Sequence, residues 1–149
     1  MSLAMKALGP GARLLLVVFC AAVALATGVA CDSRLREARS ELSGDALAVF
    51  DRGAALSTPC WACHDFYGTQ NRVGPYLSGV VGRRAGDTTF GGYSDALLGS
   101  GIVWDARTLE RFLANPSGYV PGTTMVSPGV ANAADRRALV FYMEKITSP

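Results

Sequence analysis

Histidine and lysine are the scarce residues of this 149-residue chain, which has one histidine, His64, and two lysines, Lys6 and Lys145. A lone histidine leaves no acid-base pair for catalysis, so the composition argues against an enzyme. It also leaves the four cysteines without the ligands for a structural zinc site, because Cys20 lies in an apolar run and Cys31 at its end. Lys6 and Arg13 precede residue 32, and beyond them 12 basic residues face 12 acidic ones. A balanced domain without a lysine cluster gives no argument for nucleic acid as a partner. Strand-like alternation, internal repeats and low-complexity tracts are missing as well.

The first 31 residues read as a signal peptide or an N-terminal membrane anchor. Lys6 and Arg13 form a positive start, Leu14 to Ala26 is a continuous apolar run, and small residues follow at Ala24, Ala26, Gly28 and Ala30. Leu14 to Cys31 is long enough to span a bilayer if it stays attached, and Cys31 is a candidate for lipid attachment if cleavage occurs before it. Every one of these fates exports the remainder of the chain. The expected location is therefore the periplasmic side of the cytoplasmic membrane, soluble or held there by a membrane tether. Residues 32–43 are polar and charged with little apolar periodicity and read as a spacer.

What the chain does have is Cys60-Trp61-Ala62-Cys63-His64. Two thiols three residues apart can each add across a haem vinyl group, and the adjacent imidazole can then ligate the iron. The same Cys-x-x-Cys pair serves thioredoxin-like redox couples, but those open a helix in a strand-helix-strand setting, for which no strand pattern is present here. Covalent haem suits an electron carrier, since the cofactor is kept when the protein meets a partner.

Around this motif the pattern is helical, with Leu47, Val49, Phe50 and Leu56 spaced for a helix over 45–56 that Pro59 ends. Residues 65–92 are rich in glycine and polar residues and form a long loop, which a flat apolar cofactor could organise. Asp105 caps a helix carrying Leu109, Phe112 and Leu113, stopped by Asn115-Pro116. A last helix runs from Asn132 to Ile146 with Leu139, Tyr142, Met143 and Ile146 on one stripe. That stripe is core, Met143 included. Met125 lies instead beyond the Pro121-Gly122 turn, where a loop can aim a side chain inward. From the residues alone it is either a methionine filling a gap or an iron ligand whose neutral, polarisable sulfur favours the ferrous state. Read the same way, Tyr93 and Trp104 are core aromatics with a polar handle and Arg83 is a solvated charge.

Residues 44–149 as a whole resemble the class I c-type cytochromes, of the mitochondrial cytochrome c and bacterial cytochrome c2 type. The matches run in order through Cys60 to His64, Val73-Gly74-Pro75, Gly82-Arg83, Tyr93 to Ala96, Gly101 to Trp104, Asn115-Pro116, Tyr119, Pro121 to Thr123, Met125, Leu139 and Tyr142. The resemblance implies an all-α fold of a few helices wrapped around one haem c, bound through two thioethers at Cys60 and Cys63. It implies His64 and Met125 as axial iron ligands, and the Pro75 carbonyl as acceptor for the other imidazole nitrogen. Tyr93 and Trp104 match residues that hydrogen-bond a haem propionate in the family, and Arg83 one that offsets its charge.

The function so implied is one-electron transfer between membrane-bound respiratory or photosynthetic complexes. Its partners would be a cytochrome bc1-type donor and an oxidase or photosynthetic reaction centre as acceptor. The alternatives are the electron-entry haem subunit of a larger oxidoreductase and a sensor that binds a diatomic gas. Several positions depart from the family pattern: Phe112 stands where a tyrosine is common, Leu97 where an asparagine is common, and no lysines ring the loop around Ser117, Gly118 and Thr124. Either Phe50 or Leu56 must supply the aromatic or apolar contact to the last helix.

Overall fold

The structure, a computed structural model, describes residues 30–148. Six α-helices appear among them: α1 (Ala30–Ser40), α2 (Gly44–Ser57), α3 (Asp95–Leu98), α4 (Ala106–Ala114), α5 (Pro116–Tyr119) and α6 (Ala133–Ile146), with a 3-10 helix at Thr58–Ala62 after α2. The only strand-like feature among the described residues is one antiparallel bridge between Arg84 and Val103. The all-α expectation is borne out. The chain divides into two compact units between Glu37 and Ala38. Most of the leader expected over residues 1–31 lies outside the described residues. No described helix is long and apolar enough to cross a membrane.

The segment read as a polar spacer is helical as far as Ser40. Its Arg, Glu and Ala residues have high intrinsic helix propensity, so a helix forms without the apolar stripe that a periodicity argument looks for. The Arg39 guanidinium pairs with the Asp51 carboxylate on α2.

In α2 the buried positions are Phe50, Gly53 and Ser57, whereas Val49, expected to face the core, is 41% exposed. The reason is the crossing with α6. A Cβ placed on Gly53 would lie 2.1 Å from the Ala138 carbonyl oxygen and 2.7 Å from the Tyr142 Cβ. The backbones meet there because glycine offers no side chain, and Phe50 and Ser57 flank the contact one turn to either side. Phe50 is fully buried against the Tyr142 ring, with centroids 5.2 Å apart, so it is the residue that makes the contact left open between Phe50 and Leu56. From α6, Leu139, Tyr142, Met143 and Ile146 are all buried, as their spacing requires. The two helices are further tied by the Arg52 guanidinium on the Asp135 carboxylate.

Pro59 follows the end of the α-helix at Ser57, as expected, but not the end of the helical course. It occupies the first turn of the 3-10 helix, where its missing N–H and fixed φ cost little, and α2 continues into that tighter turn. α4 begins with a reciprocal capping box: Asp105 accepts from the Thr108 N–H and the Thr108 hydroxyl accepts from the Asp105 N–H. It buries Leu109, Phe112 and Leu113, and Asn115 in turn caps the short α5. α3 and α5 are single turns, too short to show periodicity in the sequence.

Residues 65–92 carry no helix and are fastened to other parts of the chain by backbone hydrogen bonds. Gly79 donates to the Thr147 carbonyl at 2.6 Å, Gly82 to Trp104 at 2.7 Å and Ala85 to Ile102 at 2.8 Å.

The α2–α6 crossing predicts the effect of one methyl group. Gly53→Ala should destabilise the protein by about 3 kcal/mol, at the upper end of the cost of overpacking because the obstacle is backbone. Urea denaturation would measure it, and an unchanged midpoint would show that the helices can separate freely.

Candidate functional site

The site is assembled around the turn that carries the two cysteines. Cys60 lies within the 3-10 turn and Cys63 caps it. Both are free and half-buried. The turn closes with the Cys63 and His64 N–H groups donating to the Cys60 carbonyl at 3.1 and 2.9 Å, which brings His64 directly after it. Trp61, between the cysteines, stacks on buried Phe66 at 4.4 Å and donates its indole N–H to the Ser57 hydroxyl at 3.1 Å. Phe66 also neighbours Tyr142, so the cysteine turn is packed onto the helix crossing.

His64 Nδ1 is 2.7 Å from the Pro75 carbonyl oxygen. A carbonyl can only accept, so Nδ1 holds the proton and Nε2 carries the free lone pair. Burial pushes the imidazole pKa below its ordinary value, against the opposing pull of the Pro75 carbonyl, and so favours the neutral ring that a metal needs. Burial likewise pushes the Cys60 thiol up, and the neighbouring Cys63 adds to that in spite of a backbone hydrogen bond. Gly74 makes the arrangement possible. A Cβ there would lie 2.4 Å from the imidazole Cε1, and the Gly74 N–H reaches the Cys63 carbonyl at 2.9 Å.

Asp65 holds this loop in place, a role that the sequence reading missed although Asp-x-x-Gly is a recognisable Asx-turn pattern. Its carboxylate accepts from the N–H groups of Tyr67, Gly68 and Gln70 at 3.1, 3.0 and 3.2 Å, and its carbonyl from Leu77 at 2.7 Å. Burial alone would raise the Asp65 pKa, but the three backbone donors together with the Arg72 charge outweigh it and hold the carboxyl below its usual range.

Arg83 is not the solvated charge that its sequence setting suggests. It is half-buried, donates to the carbonyls of Ser78 and Tyr76 at 2.8 Å each, and lies over the Tyr76 ring. Its Nε is buried without a partner. Trp104 is buried beside it in the chain's course, with its N–H on the Arg83 carbonyl at 2.9 Å and its ring against Phe112 at 5.1 Å. Tyr93 is on a different loop and shares a 2.9 Å hydrogen bond with the Thr88 hydroxyl. Met125 is half-buried after a turn in which Thr123 N–H donates to the Val120 carbonyl and Gly122 takes φ +92°, as the Pro-Gly pair predicts. Thr124 fastens this loop to the Gly92 carbonyl at 3.2 Å. The structure thus joins His64 to Pro75 and Arg83 to Trp104, and sets Tyr93 and Met125 on two loops that are bonded together.

These residues fit a covalently held haem. Two free thiols lie on one turn, an imidazole offers Nε2, a glycine gives the clearance that the ring needs, and a buried guanidinium N–H is left without an acceptor from the protein.

Comparison with known proteins agrees. No protein-family model matches the chain. Cytochrome c2 iso-2 of Magnetospirillum fulvum is 42% identical over 87 residues, covering 58% of this chain and 91% of that protein. Cytochrome c of Tetrahymena pyriformis is 41% identical over 103 residues, covering 69% and 90%. Among solved structures, cytochrome cH from Methylobacterium extorquens superposes with a TM-score of 0.59 at 42% identity, covering 68% of this chain and 98% of that one.

The Asp65 cage predicts a pH-dependent loss. Asp65→Ala should cost about 1–2 kcal/mol at pH 7, the worth of hydrogen bonds to a charged acceptor. Because the folded pKa is depressed, that stability is complete above the ordinary carboxylate value of about 4 and fades as pH falls through the lower folded value. Denaturation curves of variant and parent should therefore converge as the pH is lowered; a constant gap would mean that the charge contributes nothing.

Proposed function

The chain belongs to the class I c-type cytochromes, and on that premise we propose that it is a monohaem one-electron carrier, not an enzyme, with His64 and Met125 as axial ligands of its iron. The observation that carries this reading is the imidazole fixed by the Pro75 carbonyl directly beside two free thiols. A haem held there supplies reversible one-electron chemistry at iron. Cys60 and Cys63 tether it by thioethers, so that it survives repeated encounters. The Pro75 carbonyl keeps His64 in one tautomer and makes Nε2 more basic. Met125 is delivered by a loop pinned at Thr124, and a sulfur held firmly changes little between oxidation states. Arg83, through its unpartnered Nε, together with Trp104 and Tyr93, offers polar hydrogens for propionate groups that would otherwise be buried as uncompensated charge.

The partners proposed are a cytochrome bc1-type donor and an oxidase or reaction-centre acceptor, met on the periplasmic side of the membrane. Val73 and Val126, next to the Pro75 and Met125 segments, are 76% and 101% exposed, and Ser117, Gly118 and Thr124 carry no charge. Such a surface suits short-range apolar docking, and a tether raises the effective concentration of membrane partners.

The first test is the absorption spectrum of the reduced holoprotein before and after carbon monoxide is added. No change is expected, because Met125 closes the sixth position. A prompt shift would move the gas-sensor reading ahead, since Phe112 brings no hydroxyl to the core beside Trp104. A second expected outcome concerns salt. Electron transfer from membranes bearing a bc1-type complex should slow by less than about threefold between 50 and 200 mM salt, because little charge steering is available to screen. A steep fall would point to a charged docking face.

A further inference from the structure

The peptide group that joins Pro75 to Tyr76 is hydrogen-bonded at both ends. Its carbonyl accepts from His64 Nδ1 at 2.7 Å, and its N–H donates to Asn71 Oδ1 at 3.3 Å. An N–H needs an acceptor, so the half-buried Asn71 amide turns Oδ1 toward Tyr76 and leaves Nδ2 to donate elsewhere. Nδ2 donates to the Thr89 hydroxyl at 3.0 Å, on the loop where Thr88 pairs with Tyr93. From His64 to Thr89 every group therefore donates in the same direction, through two amides in series, one from the backbone and one from Asn71.

The segment around Pro75 is already held without Asn71. Gly74 donates to the Cys63 carbonyl at 2.9 Å on one side and Leu77 to the Asp65 carbonyl at 2.7 Å on the other, while Arg83 holds the Tyr76 carbonyl. What the Asn71 side chain adds is polarisation. An amide whose N–H is engaged has a more negative oxygen, and hydrogen bonds in series strengthen one another by roughly 10–30% each. A stronger acceptor at Pro75 draws on the Nδ1 proton and leaves more electron density on Nε2.

We propose that Asn71 is a positioning residue for His64: through the Pro75 carbonyl it raises the donor strength of Nε2 and so favours ferric over ferrous iron. The inference rests on the reading of His64 as an axial ligand. Asn71 touches neither His64 nor the iron in this scheme and acts only through the peptide between them.

The experiment uses the reduced, 15N-labelled holoprotein and three variants. Asn71→Leu removes both hydrogen-bonding atoms at similar volume, Asn71→Asp keeps an acceptor for Tyr76, and Thr89→Val removes only the outer hydroxyl. Redox titration gives the midpoint potential, and NMR follows the His64 Nδ1–H signal. Asn71→Leu should favour reduction about threefold, a rise of about 28 mV at about 59 mV per tenfold for one electron, with Nδ1–H moving upfield as its hydrogen bond weakens. Thr89→Val should move both readings the same way by less, whereas Asn71→Asp should leave the potential at or below that of the parent. The last two variants supply the same contrast should Asn71→Leu not take up haem. Unchanged readings in Asn71→Leu and Thr89→Val overturn the proposal, and so does an equal rise in Asn71→Leu and Asn71→Asp, the mark of a loosened fold. A parent spectrum without the ring-current-shifted resonances of an iron-bound imidazole overturns the ligation by His64 itself; a normal parent with either of those variant results overturns the role of Asn71 alone.

Discussion

The contact on which this molecule rests is the crossing of α2 and α6 at Gly53, where the helix backbones approach too closely for any side chain at that position. Its consequences run in both directions along the chain. α2 leads without interruption into the 3-10 turn, so the position of the crossing is also the position of Cys60 and Cys63. α6 is capped by Thr147, whose carbonyl receives Gly79 from the long loop and whose buried hydroxyl returns to Met143. The aromatic series Phe50, Tyr142, Phe66 and Trp61 then carries the packing from the helix contact to the turn between the cysteines. A domain with little core of its own can in this way hold a long irregular loop against a fixed frame.

Arginine, not lysine, does the polar work in this protein. Arg83 and Arg136 use the guanidinium in the same manner: each gives N–H groups to two backbone carbonyls and keeps a buried Nε without a protein acceptor. A planar fork can satisfy two carbonyls at once, which an ammonium on a flexible stem does poorly. Arg83 in this way ties the chain at Tyr76 and Ser78, and Arg136 ties the end of the Met125 loop to α6. The balanced net charge conceals this, because the charges act over hydrogen-bond distances and contribute little to a long-range field.

The parts of the site that were legible in the sequence are those encoded locally. Cys60 to His64 is contiguous, the Pro121-Gly122 pair dictates its own turn, and the stripe of α6 follows from helical periodicity. Less could be read where a residue's role depends on its neighbours. Of the stripe Leu47, Val49, Phe50 and Leu56, Phe50 is buried and only Val49 is exposed, because the inner face of α2 is centred on a glycine, which hydrophobic patterning ignores. Pro59 does mark the end of α2, at Ser57, but the 3-10 helix that follows is too short to show a period. The polar stretch before α2 lacked periodicity and was still helical, since its Arg, Glu and Ala residues favour a helix and contacts at Ala38 and Arg39 hold its end.

By itself, therefore, the sequence determined the chemistry on offer, two thiols and one imidazole in a fixed order, together with the all-α class. Covalent spacing and helical period are properties of neighbouring residues, and no folding is needed to read them. Only the tertiary structure decided which imidazole nitrogen is free, that Arg83 is half-buried and not solvated, and that Gly53 and Gly74 are where backbone must pass. Each of these depends on what a distant segment brings within 3 Å: the Pro75 carbonyl, the Tyr76 and Ser78 carbonyls, the Ala138 backbone and the His64 ring. No local pattern carries that information, because such contacts are set by packing across the fold.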